Sequence, residues 1–169
     1  KIQSYCIMQD KEVIRFLQNQ LNFTPKNISD IKIFIDELLK ANKRHNFISK
    51  STENLIWHRH ILDSAQLVDF LPKNGAHILD IGSGAGFPGL VLSIITENKV
   101  TLVESDQRKS VFLQTVIREL GLTATVRNER IELIPTIGAS IVTARALASV
   151  ERLLLLLDRQ MSSVERCLF

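Results

Sequence analysis

Long apolar runs are missing from this 169-residue chain. The leucine run Leu153–Leu157 sits inside a charged helical pattern, far short of the ~20 apolar residues that a membrane span requires. Cysteine is scarce. Cys6 and Cys167 stand near opposite ends, without metal or redox spacing, and read as two buried or incidental thiols of a cytosolic protein. Internal repeats and low-complexity linkers are absent. Asp10, Lys11 and Glu12 interrupt any apolar stretch at the start, which excludes a signal-peptide reading. Lys1 in place of an initiator Met, and an end at Phe169 directly after an apolar run, lead us to expect that both ends are trimmed.

What remains is ordinary for a globular protein: 45% hydrophobic and 23% charged residues, in a length that suits one domain with a sizeable core. The net charge of +3 is uneven, with +4 on residues 1–60 and −1 on the rest. Positive charge is densest from Lys40 to Arg59, where Lys40, Lys43, Arg44, Lys50 and Arg59 face Glu53 alone. Such a patch attracts a polyanion. A solvated helix end, where cations offset the helix dipole, gives the same pattern, and composition alone favours that reading.

The chain divides into a helical front (residues 1–75) and an alternating α/β body (76–169). Ile31, Phe34, Ile35, Leu38 and Leu39 follow the i, i+3, i+4, i+7, i+8 stripe of an amphipathic helix, with Thr24-Pro25 and Asn27–Ser29 as starting caps. A second helix is expected over Thr52–Leu71, closed by Pro72 and Gly75. In the body, His77–Ile81 reads as a strand, Gly89–Ile95 as a helix behind Pro88, and Lys99–Glu104 as a strand. Gln107–Leu120 reads as a helix stopped by Gly121. Leu122–Asn128 and Ala139–Ala144 are further strands, and a last helix runs to Met161 with Ser149 as its cap. The final Cys167–Phe169 are expected to begin another strand. This order predicts a mostly parallel, Rossmann-like sheet with helices on both faces. Ligands then bind beyond the carboxyl ends of the strands.

One stretch carries the chemistry. Asp80-Ile81-Gly82-Ser83-Gly84-Ala85-Gly86 follows the first strand directly. Glycines there let a ligand touch the backbone, and the helix beyond them offers unpaired N–H groups. Phe87 stands where the dinucleotide fingerprint needs its third glycine, which disfavours NAD. Asp80 disfavours phosphate and suits an ammonium group, met directly or through water. Glu104, at the end of the second strand, suits the two hydroxyls of a ribose. Loop and acid together point to S-adenosylmethionine (AdoMet).

Several segments resemble one family closely. Arg59–Ser64 (RHILDS), Asp80–Gly89 (DIGSGAGFPG), Glu104-Ser105 with Lys109–Leu113 (KSVFL), Arg130–Glu132 (RIE) and Ala144–Ser149 (ARALAS) occur in this order, with Asn42–Ser49 as a looser match. The pattern resembles the bacterial small-subunit ribosomal RNA methyltransferase G family, also called glucose-inhibited division protein B, over roughly residues 30–150. The resemblance implies a class I methyltransferase that acts on N7 of a guanosine in 16S rRNA. It implies cofactor contacts at Asp80, Gly82, Ser83, Gly84, Gly86 and Phe87, at Glu104 and Ser105, at Glu129, Arg130 and Ile131, and at Arg145. It implies RNA contacts at Lys43, Arg44, Arg59, Arg108, Lys109 and Arg145. The family continues with further strands, so the sheet is expected to lack its last members. No metal ligands and no general base stand out, because guanine N7 carries a lone pair and no proton; alignment suffices. Thr143–Ala146 lacks the Asn/Asp-Pro-Pro-aromatic grip of amine methyltransferases. Phe87 suits either stacking on a base or the core. His60 reads as a capping or buried hydrogen-bonded histidine, Asp63 as its orienter or that of Arg59, and Trp57 as core. The expected partner is 16S rRNA or the small subunit, and the expected state a cytoplasmic monomer. The alternatives are a methyltransferase of proteins or small molecules, and a module that binds AdoMet and RNA without turnover.

Overall fold

The computed structural model describes residues 9–145, 150–158 and 160–169. Cys6, the Ser149 cap and the segment after Arg145 in Ala144–Ser149 lie outside the described residues. The front contains α1 (Asp10–Gln20) and α2 (Pro25–His45). Thr24 caps α2 as expected: its Oγ1 accepts from the Asn27 N–H at 3.1 Å, and Asn27 Oδ1 in turn accepts from the Thr24 N–H at 3.0 Å. The expected single helix over Thr52–Leu71 is instead four pieces. They are α3 (Lys50–Glu53), a π-helical turn (Trp57–Leu62), α4 (Asp63–Ala65) and a 3₁₀ turn (Gln66–Phe70). The reason lies in the spacing. Ile56 and Ile61, like Trp57 and Leu62, are five residues apart, and all four are buried. A regular α-helix would turn such pairs away from one another; the wider π turn brings them to one side.

The body holds β1 (His77–Ile81), α5 (Gly89–Ile95), β2 (Lys99–Val103), α6 (Gln107–Leu120), β3 (Thr125–Arg127), β4 (Ile141–Ala144), α7 (Val150–Leu157) and β5 (Arg166–Leu168). All five strands are parallel, in the order β3-β2-β1-β4-β5. β1 has the expected bounds, whereas β2, β3 and β4 are shorter than the sequence suggested. β2 stops at Val103, although the Glu104 N–H still donates to the Arg127 carbonyl at 3.0 Å. α7 ends at Leu157, and a 3₁₀ turn (Met161–Ser163) follows. Between them Gln160 turns inward, where its amide donates to the Ile134 and Pro135 carbonyls and accepts from the Ile137 N–H. Gly121 ends α6 in the left-handed conformation.

Strand alternation sorts the core. Ile78, Val100, Leu102 and Ile141 share one cluster with Leu90, Phe112 and the front residues Phe34, Trp57 and Ile61. Leu79, Ile81, Val103, Val142 and Ala144 form the other, beneath Ile131, Leu153 and Leu157. A parallel sheet covered on both faces reads as nearly continuous apolar strands, as these do. The buried polar exceptions on the strands are Thr101 and, paired in register on the first face, Asp80 and Thr143. The chain reverses direction across the sheet between β1 and β4, so a crevice opens at their carboxyl ends.

Gly89 shows how closely α5 sits on this sheet, because a Cβ there would run into the Leu102 side chain and Asp80. Gly89→Ala is expected to destabilise the fold by about 1–3 kcal/mol through overpacking, read as a lower urea midpoint at unchanged slope.

Candidate functional site

The turn after β1 follows the expected backbone path. Gly82, Gly84 and Gly86 have φ of 65°, 57° and 99°, values that exclude most other residues. Gly86 is held by packing as well, since a Cβ there would lie 2.6 Å from Leu90 Cδ1. The Ser83 N–H donates to the Val103 carbonyl at 3.1 Å, and Ser83 Oγ donates to the Asp80 carbonyl at 3.0 Å. Ser83 is buried by these bonds.

Glu104 does more than the sequence suggested. Its Oε2 accepts from the Gly84 N–H and its Oε1 from the Asp106 N–H, both at 2.8 Å. One carboxylate thus pins the glycine turn to the loop after β2. The Asn128 amide and the Ser110 hydroxyl donate to the Glu104 carbonyl at 2.9 and 3.0 Å. Asp106, which the sequence reading passed over, caps α6 by accepting from the Arg108 and Lys109 N–H groups. Its carboxyl lies well below the usual range, first because the Arg108 side chain donates to it. Asp-x-x at a helix start was the available signal.

Beside this loop lies a cavity of about 260 Å³ lined by Gly82, Val103, Ser105 and Glu129–Ile131, closed by Leu156 of α7. The structure therefore gathers Gly82, Ser105, Glu129, Arg130 and Ile131 in one place. Glu132 and Arg152 also line it and were not anticipated. The α7 contributors were hidden because only tertiary packing brings that helix over the strand ends.

Other expected contacts are placed differently. Asp80 is completely buried: Oδ1 accepts from Thr143 Oγ1 at 2.7 Å, while Oδ2 lies against Gly89 without a hydrogen bond. It has no surface to offer an ammonium group and works instead beneath the turn. Burial pushes its carboxyl up to about 6, against the Thr143 bond. Phe87 is core rather than a stacking platform for a base. It is buried, with the Phe34 ring at 5.2 Å, the His60 ring stacked at 4.8 Å and 17°, and the Arg145 guanidinium 5.0 Å from its centroid. Arg145 donates from Nη2 to His60 Nδ1 at 2.7 Å and from Nη1 to the Arg59 carbonyl at 3.2 Å. His60 is the hydrogen-bonded histidine expected, and Trp57 is buried. Asp63 is exposed and acts on Arg145 through its charge. The free Cys167 thiol on β5 is half-buried.

The cations split into groups. Arg44 and Arg108 line one groove of about 470 Å³ with Lys40 and His45, between the end of α2 and the start of α6. Lys43 and Arg59 are exposed outside that groove, and Lys109 is half-buried. Arg108 is bridged to Asp106 at 2.8 Å and Lys40 to Glu37 at 2.6 Å. Such exposed pairs exchange at little cost.

Residues 27–169 match the profile of the family described as rRNA small subunit methyltransferase G, or GidB. The chain belongs to that family. Among relatives carrying this name, the Paramagnetospirillum magneticum protein is 41% identical over 144 residues, covering 85% of this chain and 70% of the relative. The Cereibacter sphaeroides protein is 42% identical over 155 residues, covering 89% and 75%. The Rhodospirillum centenum protein is 46% identical over 132 residues, covering 78% and 61%. Two solved structures share the fold. A SAM-dependent methyltransferase from Aquifex aeolicus aligns with a TM-score of 0.51 at 21% identity, over 73% of this chain and 66% of its own. A TehB-like SAM-dependent methyltransferase from Corynebacterium glutamicum aligns at 0.52 and 18%, over 78% and 70%.

The cofactor of this methyltransferase G chain is AdoMet, and the residues fit it. The turn carries three side-chain-free residues at positive φ, each Glu104 oxygen keeps a further lone pair for a hydroxyl, and the cavity beyond Ser105 joins the apolar Val103, Ile131 and Leu156 to the charged Glu129, Arg130, Glu132 and Arg152.

Asp80 and His60 titrate with opposite signs in overlapping windows. Asp80, raised, binds a proton on folding, so its contribution falls as pH rises from 4 through 6. His60, lowered to about 4 by burial and by Arg145, makes stability rise with pH up to about 6.5. Asp80→Asn is therefore expected to steepen the gain in unfolding free energy between pH 4 and 6.5, measured by urea titration beside the parent protein.

Proposed function

We propose that this chain methylates N7 of a guanosine in 16S rRNA, acting as a cytoplasmic monomer on the RNA or the small subunit. The family match over residues 27–169 carries this reading, because it spans both the glycine turn and Glu104. No helix among the described residues is long and apolar enough to cross a membrane.

AdoMet supplies a methyl group activated on a sulfonium. Gly82 and Gly84 would hold its amino-acid end by backbone contact, Glu104 its ribose hydroxyls, and Ser105 with Glu129–Ile131 its adenine. The chain's part in the transfer is alignment, which can lower a barrier by roughly 7–11 kcal/mol. N7 as acceptor agrees with the titratable groups around the turn. His60 Nδ1 is taken by Arg145, Asp80 is sealed under the turn, and both Glu104 oxygens hold backbone N–H groups. None is placed to remove a proton, and guanine N7 has none to lose.

The groove of Lys40, Arg44, His45 and Arg108 supports an RNA substrate. It adjoins the strand ends, because α6 starts three residues beyond Glu104. His45 and Phe47 stack at 5.4 Å on its rim, a platform suited to a base. Lys43, Lys109 and Arg59 would add phosphate contacts around it.

Glu104→Gln is expected to weaken AdoMet binding at least tenfold in calorimetry, since a charge-assisted hydrogen bond contributes about 1.5–3 kcal/mol. Tritiated AdoMet should label 16S rRNA in small subunits that lack the modification, and label on protein or small molecules instead would overturn the substrate assignment. Mapping by borohydride–aniline cleavage should place the label at N7. Arg44→Ala should weaken RNA binding and flatten its log–log salt dependence by about 0.7–0.9, while AdoMet affinity stays unchanged.

A further inference from the structure

Arg145 directly follows β4, with its guanidinium against Phe87, the residue that closes the glycine turn. It is held there from the helical front. The π-helical turn supplies two acceptors, the Arg59 carbonyl and His60 Nδ1. The His60 ring lies nearly parallel to Phe87, at 17°, and Phe87 is backed by the fully buried Phe34 of α2. Three segments distant in sequence therefore meet on one aromatic ring.

We propose that His60 is a positioning residue of the cofactor cleft: seated on Phe87, its Nδ1 holds the Arg145 guanidinium at the end of β4 and thereby locks the glycine turn against that strand. The geometry sets its protonation. Arginine has donors and no acceptor, so Nδ1 must accept. A neutral ring then carries its proton on Nε2, which is buried without a partner among the described residues. Burial and the neighbouring positive charge keep the ring neutral at physiological pH. A protonated ring would lose the acceptor and place two cations side by side. The π turn matters for the same reason: its wider winding lets Trp57, Ile61 and Leu62 stay in the core while His60 reaches Phe87. A purely structural histidine would need only its stacking; a positioning one needs the Nδ1 acceptor.

This deepens the AdoMet reading and rests on it. The test separates the two. Adenosylhomocysteine affinity is measured by calorimetry for the parent protein and for His60→Ala, His60→Asn and His60→Gln. Asparagine places its Oδ1 where Nδ1 stands, whereas glutamine places its amide where Nε2 stands. His60→Ala and His60→Gln should each lose about tenfold in affinity, and His60→Asn should stay within about threefold of the parent. Arg145→Ala combined with His60→Ala should cost no more than either alone. Equal losses in all three His60 variants, or additive losses in the pair, would overturn the proposal. Nitrogen-15 NMR of the parent protein needs no variant to fold: it should show a neutral Nε2–H ring with Nδ1 accepting, and the opposite tautomer also overturns it. A parent protein that binds no adenosylhomocysteine would sink the cofactor reading, leaving the His60–Arg145 bond to be judged by NMR.

Discussion

One carboxylate, Glu104, organises the cleft. Its two oxygens take the N–H groups of Gly84 and Asp106. Those N–H groups belong to the loops after β1 and β2, which have no strand partner of their own. A backbone donor left unpaired in this half-buried place would cost about 1–3 kcal/mol, so the carboxylate is needed before any ligand arrives. The side chain proposed to meet a ribose thus also holds the glycine turn in place. On that proposal binding and preorganisation share one group, and a ligand hydroxyl would add to bonds already made rather than replace them.

Beneath the turn a second constraint acts through packing. Asp80 and Thr143 occupy paired positions on β1 and β4 and bond to each other at 2.7 Å. Gly89 lets α5 settle on top of them. The buried carboxyl is expensive to ionise, hence its raised titration. What it gains is specificity of place: only a short polar pair fits where a helix start meets the switch between strands. The acid in the D-x-G-x-G-x-G pattern is in this way a foundation of the turn, and Glu104 is its clamp.

These roles explain what the sequence disclosed. Elements set by periodicity, caps and terminators were legible: α2 behind Thr24, α6 before Gly121, and β1 ahead of the glycines. So was the place of Glu104 at the end of the second strand, which follows from the alternation of strands and helices; Glu129–Ile131 was singled out only by the family resemblance. What stayed hidden depends on long-range contact. Burial of Asp80 cannot be read from a motif in which an acid looks solvent-facing. Leu156 and Arg152 reach the cavity only because α7 crosses over the strand ends. The π turn was concealed because its apolar residues fit a helical stripe loosely, and the deciding clue was a spacing of five in place of three or four. Phe87 was left between two fates, and its neighbours Phe34, His60 and Arg145, none adjacent in sequence, decided for the core.

The helical front is therefore part of the site's machinery. α2 contributes Phe34 behind Phe87 and the basic end that carries Lys40, Arg44 and His45. The π turn contributes the acceptors for Arg145. Without the front, the guanidinium just beyond β4 would lack its two acceptors. The groove beside α6 would likewise lose one wall. α2 thus serves on two sides: Phe34 backs Phe87, and its basic end lines the groove beside α6. Disturbance at α2 or at the π turn would reach the cleft through Phe87, because that ring is where the front and the switch point touch.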